Sequence, residues 1–523
     1  MAGLGAVGYS VKLMLRRASE SRVTKTRTDT FPAPSRGWVQ SGNVMSAGSD
    51  QAEVLDNFIV TAQGARLRGG KELIANLGAP VKRLFTYQKG VNEVLFGATE
   101  TVIYNVGNVA GGPVRSSLVS GDWSTTQIST EGGQFLVGVN GANLGFTYNG
   151  TAFSDMSLTG VNSNTLSQVW LFKERLFFVE RNTQSAWYLP TESIGGVATE
   201  INLGSVFSRG GNLLFGATWS LDSGSGLDDV CLFFSDVGEI AVYQGTDPNS
   251  ASTWGLVGVY DVGKPINKHS FFKAGGDLAV VTQDGIVPVS AALRKDRAAL
   301  QADAISFPIE DAWKEAIHNG PDYDVSATLW QSGTLLLVGT GIKKDNSPVA
   351  FAANARTGGW SRIVGWDVQC SAVFGDHLYF GSANGKVYLG DSTGTDDGSE
   401  FTGVYVPKFK TKGNLSSANA AGLTYHSVQE LDFEMLAFSD YTVSKIQPPS
   451  PPPMTAYSVW GEGIWGDFIW GGGKQVETFT TWQSAFANGY SLAPGVFISS
   501  NHTQPIIFEI IASRLRYEEG YAL

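Results

Sequence analysis

The residues able to do chemistry in this chain are few and scattered. It has five histidines, His269, His318, His377, His426 and His502, and two cysteines, Cys231 and Cys370. A histidine can ligate a metal or move a proton near neutral pH, and a thiolate can attack or ligate. Neither type clusters. No HExxH pair and no Cys/His zinc spacing occurs. Lone histidines of this kind read as structural. Both cysteines lie in or beside apolar runs and read as buried small residues. Two cysteines in 523 residues build no disulfide framework, which suits folding in a reducing cytosol.

Other chemistries have only partial signatures. Gly258-Val-Tyr-Asp-Val-Gly263-Lys264-Pro265 is close to a phosphate-binding loop. That loop needs Ser or Thr after its lysine and then a helix. Here Pro265 follows, and Ile266–Phe272 reads as strand. No GxSxG elbow is present. A propeller glycosidase would need converging carboxylates. Asp228, Asp229, Asp236, Asp277 and Asp284 are candidates, but turns favour Asp in any case. Residues 392–400 read as a solvated polar loop, and Asp391, Asp396, Asp397 and Glu400 match no calcium-loop spacing. The sequence therefore predicts no enzyme, no cofactor and no metal.

Charge sets further bounds. The net formal charge is −11. Residues 1–36 carry seven basic against two acidic side chains, net +5, leaving −16 on the rest. Such an acidic body is a poor tight binder of nucleic acid, because phosphates need Lys and Arg. No apolar run reaches the roughly 18 residues of a spanning helix. Arg16 and Arg17 follow the first apolar stretch, the reverse of a secretory signal.

A repeated unit must position whatever these residues do. About seven times between Leu84 and Asp391 a short β-rich run, a Gly/Asn/Asp turn and a second β-rich run recur. Val169–Phe172 with Arg175–Val179, and Val230–Phe234 with Glu239–Tyr243, are clear copies. Small antiparallel sheets about 40 residues apart are the mark of propeller blades. The expected fold is all-β, a β-propeller of six to eight blades with seven the best count. It carries a small helical insertion and an additional β-rich C-terminal region. The expected organisation is a basic arm over 1–36, the propeller over 37–400 with helices near 291–318, and the further region over 401–523. The helices are Ala291–Ala304 and a second with Ile309, Trp313 and Ile317 on one face. A late strand near Ile506–Ile511 could complete the first blade.

Two segments could make contacts. The arm, with Arg16, Arg17, Arg22, Lys25 and Arg27, is either a solvated tail or a segment that orders on a partner. In the C-terminal region a proline stretch, Pro448–Pro453, precedes Trp460, Trp465 and Trp470, each followed by Gly. These tryptophans are a packed aromatic core, a subunit contact, or a stacking surface for sugar or base.

The stretch from Phe31 to Val106 resembles a phage family. The residues that carry this are Pro32-Ala-Pro34 with Gly37-Trp38, Leu55-Asp-Asn-Phe58, Leu67-Arg-Gly-Gly70, Phe85–Gly90, Leu95-Phe-Gly-Ala98 and Ile103-Tyr-Asn-Val106. Asp296–Leu300, Ala312–Ala316 and the Trp-Gly repeats are also similar to it. The family is the tail nozzle, or tail hub, of short-tailed bacteriophages, comprising tail tubular B-type and packaged-DNA stabilisation proteins. Phe58 stands where its pattern has Trp, and Arg36 where a Gly often sits. The resemblance implies a structural virion protein assembled in the host cytoplasm, a hexameric ring below portal and adaptor. Double-stranded DNA passes through it without specific binding, and a needle, plug or fibre protein meets its tip. The arm would then contact the adaptor or a neighbouring subunit. The other reading is a carbohydrate-binding or glycoside-hydrolase propeller acting as a receptor-binding tail component.

Overall fold

The computed structural model describes residues 26–40, 48–222, 227–319, 325–444, 447–453 and 475–520. Strand dominates and helix is scarce, and the fold is a β-propeller joined to a second, larger sheet. Six small sheets of three or four strands stand separately, besides a two-stranded pair of Leu158–Thr159 with Gly196–Val197, and a seventh strand group belongs to the large sheet. Each of the repeats in the sequence supplies strands to one group. The inner strands, in ring order, are Arg83–Lys89, Ser124–Thr130, Leu166–Phe172, Leu213–Asp222, Phe271–Ala274, Ser326–Trp330 and Cys370–Phe374. The groups they begin are blades one to seven below.

The apolar runs explain the blades. A blade is covered on both faces, so its strands need hydrophobic residues at nearly every position. In Arg175–Glu180 of blade three, Leu176 and Phe178 pack toward blade two, while Phe177 and Val179 pack toward blade four. In blade four, Cys231 and Phe233 face blade three, and Leu232 and Phe234 face blade five. Strand alternation thus fills two interfaces from one run. Polar links add to this: Gln168 of blade three donates to Gly216 O of blade four at 3.1 Å and accepts from Gly216 N at 3.0 Å.

The ring closes through a strand that precedes it. Gly70–Asn76 pairs with Lys386–Thr393 as the fourth strand of blade seven. The expectation that a late strand completes the first blade is corrected. Phe508–Glu519 pairs with Lys410–Ser427 and with Thr26–Pro32. Its Phe508, Ile510, Leu515 and Tyr517 bury with Leu423 and Tyr425 in the largest core, a better apolar partner than a blade edge.

The second sheet joins both ends of the described chain. Glu477–Ser500, 24 residues long, pairs with Lys410–Ser427, Glu434–Ser439 and Phe401–Pro407. Phe401–Pro407 pairs with Ala52–Asp56, which meets blade six at Asp56 and Arg362. Residues 52–67, assigned from sequence to the propeller, therefore lie in this sheet.

The helical insertion follows blade five. Glu310–Asn319 buries Ala312, Trp313 and Ala316, with Ile309 just before it and Ile317 partly buried. The Trp313 indole donates to Thr282 O at 3.2 Å. The other expected helix, Ala291–Ala304, is not continuous. It is two single turns, Val289–Ala292 and Arg297–Leu300, with Asp296 extended between them, and the second runs on into a 3-10 turn, Gln301–Asp303. Helix propensity is a weak preference, and here Arg297 is drawn to Asp284, with Nε and Nη2 at 2.9 and 2.7 Å from its Oδ2.

Candidate functional site

The polar chemistry concentrates at the propeller axis. Asp122 sits in the turn before the inner strand of blade two, its N–H donating to Ser120 Oγ at 3.2 Å. Arg83, from the inner strand of blade one, places Nε 2.8 Å from Asp122 Oδ1. Lys268 Nζ lies 3.0 Å from Asp122 Oδ2 and donates to the Asp122 carbonyl at 2.7 Å. His269 Nε2 is 2.9 Å from Oδ1. One carboxylate thus receives three basic side chains.

A short turn carries two of them. Asn267–Ser270 precedes blade five, where the sequence suggested continuous strand. Asn267 Oδ1 accepts from His269 N at 2.8 Å and from Ser270 Oγ at 3.1 Å, and its amide donates to Val325 O beside blade six at 3.2 Å. The turn therefore reaches from blade five to Asp122 at blade two, on the opposite side of the ring. No spacing in the sequence announces contacts separated by 146 and 147 residues.

Burial works against the Asp122 charge, but His269, Lys268 and Arg83 outweigh it and hold the carboxyl well below the ordinary carboxylate range. Burial, with Arg83 next, lowers His269 to about 4, so it is neutral at neutral pH. Beside the cluster lies a cavity of about 200 Å³, lined by residues from six of the seven inner strands or the turns that lead into them, Ser124, Gln168, Thr328 and Ser371 among them. A cavity of this size is small beside a nucleic-acid duplex, whose major groove alone is about 12 Å wide. A groove of about 460 Å³ by Leu144 and residues 156–163 has no charged lining.

The expected chemical residues do not converge. Asp229 meets Ser220, Asp236 meets Asn212, Asp277 meets Ser290 and Asp284 meets Arg297. The Asp228 side chain lies outside the described residues. His426 is 3.6 Å from Glu509, and His502 bonds Pro452 O at 2.8 Å. Among the described residues no group of His, Cys, Asp and Glu could hold a metal. Both cysteines are buried, which pushes the Cys370 thiol up to about 12 and raises Cys231 as well. Residues 258–264 run from strand into a turn at Gly263.

The motif residues near the N-terminus meet elsewhere, where propeller and second sheet join. Arg68 is wholly buried; its Nη1 and Nη2 meet Asp396 at 2.9 and 2.7 Å, and its Nε meets Asn57 Oδ1 at 2.9 Å. Asp56 takes Arg362 at 2.6 Å and also Lys344. Arg66 reaches Asp391 Oδ2 at 2.6 Å, and Lys386 reaches Asp397 at 2.6 Å. The 392–400 loop, expected to be solvated, instead has Asp396 and Asp397 tied to cations at this junction, as is the adjacent Asp391.

The contact candidates are placed only in part. Arg27 pairs with Glu519 at 2.7 Å. Arg16, Arg17, Arg22 and Lys25, and Trp460, Trp465 and Trp470, lie outside the described residues. A different aromatic group was missed. Trp482, Phe486 and Tyr490 alternate along one face of Glu477–Ser500 and are 40%, 76% and 57% exposed. Trp482 lies across Gly422 of the neighbouring strand, where a Cβ would come within 2.7 Å of the indole. Arg516 stacks on it, its guanidinium carbon 5.1 Å from the ring centroid. The i, i+4, i+8 spacing masks this stripe in sequence, because it also fits one helix face.

No family model matches the chain, and no curated protein matches it. Solved propellers are loosely similar. BBS1N, crystallised in complex with ARL6DN, has a TM-score of 0.38 at 10% identity, covering 62% of this chain and 96% of that one. The β-propeller domain of Myceliophteria thermophila Cps50 (Swd1) gives 0.35 at 11%, covering 61% and 99%. Chaetomium thermophilum Raptor gives 0.39 at 10%, covering 62% and 29%. Values this low carry no argument about function.

Proposed function

We propose that this chain is a structural virion protein, the tail nozzle of a short-tailed bacteriophage. In this reading it acts without catalysis, as a cyclic homo-oligomer, a hexamer, below the portal and adaptor. Double-stranded DNA leaves through the lumen of that ring, between subunits, since the axial cavity is small beside a duplex. The basic arm docks on the adaptor or an adjacent subunit, and needle, plug or fibre proteins meet the ring.

The observation that carries the reading is the outer sheet. Trp482, Phe486 and Tyr490 stand exposed together on one strand, and clustered exposed aromatics mark contact surfaces. The resemblance motifs support it from another side. Asp56, Asn57, Arg66 and Arg68 serve the joint between propeller and sheet, so their role is architectural. The net −16 on residues 37–523 suits a lumen that does not hold phosphates by counterion release. Size-exclusion chromatography with light scattering on the purified chain tests assembly. A ring-sized species is expected; a monomer at every concentration counts against the reading.

A further inference from the structure

We propose that residues 7–15 of one copy add as a strand to the free edge of residues 477–490 in a neighbouring copy, an inference that rests on the ring reading above. The sheet supplies the first argument. Glu477–Ser500, Lys410–Ser427, Phe508–Glu519 and Thr26–Pro32 lie side by side in that order, each pair antiparallel. Over residues 477–490 the first strand has Lys410–Ser427 as its one ladder partner among the described residues. Its other partners, Glu434–Ser439 and Phe401–Pro407, meet it from Leu492 onward. Asp440 Oδ1 closes the run, accepting from Tyr490 N at 2.8 Å and from Ser491 N at 3.0 Å. A free edge is a template for another strand, and proteins blunt such edges with charge or proline. Residues 478–490 contain neither. The opposite outer strand, Thr26–Pro32, has both: Arg27 pairs with Glu519, Asp29 pairs with Lys412, and Pro32 ends it.

The chain outside the described residues supplies the second argument. Residues 1–25 precede Thr26, which lies at the blunted edge of the same sheet. Within them Val7, Tyr9, Val11, Leu13 and Leu15 alternate with Gly8, Ser10, Lys12 and Met14, the period of a strand with one apolar face. Added to the free edge, that face lies alongside the exposed Trp482, Phe486 and Tyr490, where aromatic and β-branched cross-strand pairs stabilise a sheet. Antiparallel addition brings Arg16 and Arg17 to the Glu477 end, near Glu430, whose carboxylate accepts from Thr481 Oγ1 at 3.5 Å. Opposite charges there fix direction and register. Residues 16–25 span up to about 35 Å when extended, against roughly 14 Å across four strands, so the segment clears its own sheet. One edge gives a strand and the unlike edge takes one, a head-to-tail contact that can close into a ring.

The test is hydrogen exchange read by mass spectrometry, on the full chain and on a chain lacking residues 1–15, with the mass of each fixed by light scattering. Most amides of residues 478–490 should be protected in the full chain. About every second one should lose protection in the shortened chain, because one partner satisfies alternate amides of an antiparallel strand. A second measurement co-expresses Leu13→Cys chains with Ser484→Cys chains under mild oxidation; the native Cys231 and Cys370 are buried. A disulfide between different chains is expected, and none with Val257→Cys, an exposed position on another outer strand. Equal protection in the two chains at equal ring mass overturns the strand addition and leaves the ring standing, with another segment on the edge. Unprotected alternate amides in a full-length ring overturn it too, as does a Leu13 cross-link no stronger to Ser484→Cys than to Val257→Cys. A full chain that is monomeric at every concentration overturns the ring reading and this inference with it.

Discussion

Arg68 and Asp396 form a two-pronged ion pair, 2.9 and 2.7 Å, with the guanidinium fully buried between the rings of Trp366 and Phe401 at 5.0 and 4.0 Å. The partners are 328 residues apart. Burial opposes the Asp396 charge, while Arg68 and Lys71 outweigh it and lower its pKa. Removing one partner of a buried pair strands the other charge, at about 3–5 kcal/mol. Arg68→Met should therefore lower the unfolding free energy measured in urea by that order, and Arg68→Met with Asp396→Leu should recover much of the loss. A single variant that melts like wild type contradicts the clamp.

His269 makes stability depend on pH. Its folded pKa, about 4, lies below the ordinary histidine value of about 6.5. The unfolded chain then binds the extra proton between these values, so stability is present above about 6.5 and is lost as pH falls toward about 4. The expected loss is about 2–3 kcal/mol. Asp122, held low in the folded state, adds its own loss below the ordinary carboxylate range. His269→Gln should flatten the upper part of this profile in unfolding measured from pH 7 to 4.5. An unchanged slope contradicts the assignment.

The first described strand holds the N-terminal side of the second sheet. Thr26–Pro32 pairs with Phe508–Glu519, and Phe31 is buried. Deleting residues 1–25 should leave the melt unchanged while weakening incorporation into particles, if the basic arm docks on a neighbour. Deleting residues 1–32 should also destabilise the second sheet, by about 3–5 kcal/mol for the lost Phe31 alone. Equal melts for the two deletions contradict the pairing.

The sequence showed the blades because each strand run, such as Arg175–Glu180, is local and carries its own alternation. It did not show which strand closes the ring, since Gly70–Asn76 and Ile506–Ile511 look alike until their partners are known. The axial cluster was invisible for the same reason. Arg83, Asp122, Lys268 and His269 come from three blades, and no local pattern ties them. His269 was read as structural, and its contacts are with the cluster. Leu67-Arg-Gly-Gly70 was legible as a motif but not as a buried clamp, because the Asp396 partner lies beyond the propeller.

The outer aromatic stripe separates folding from assembly. Phe486→Ser with Tyr490→Ser removes exposed side chains, so the monomer melt should move by no more than about 0.5 kcal/mol. Assembly should fall strongly, since exposed aromatic anchors dominate contact energies. Unchanged assembly by light scattering would place the subunit contact elsewhere.

The central claim is a ring that conducts DNA between subunits, and electron cryomicroscopy of the purified oligomer tests it most directly. The account predicts a closed cyclic assembly with six-fold symmetry, its lumen acidic or polar and wide enough for B-form DNA. At physiological salt such a wall acts over about 8 Å. A monomer, a sealed centre with no gating element, or a lumen lined by Lys and Arg would contradict it.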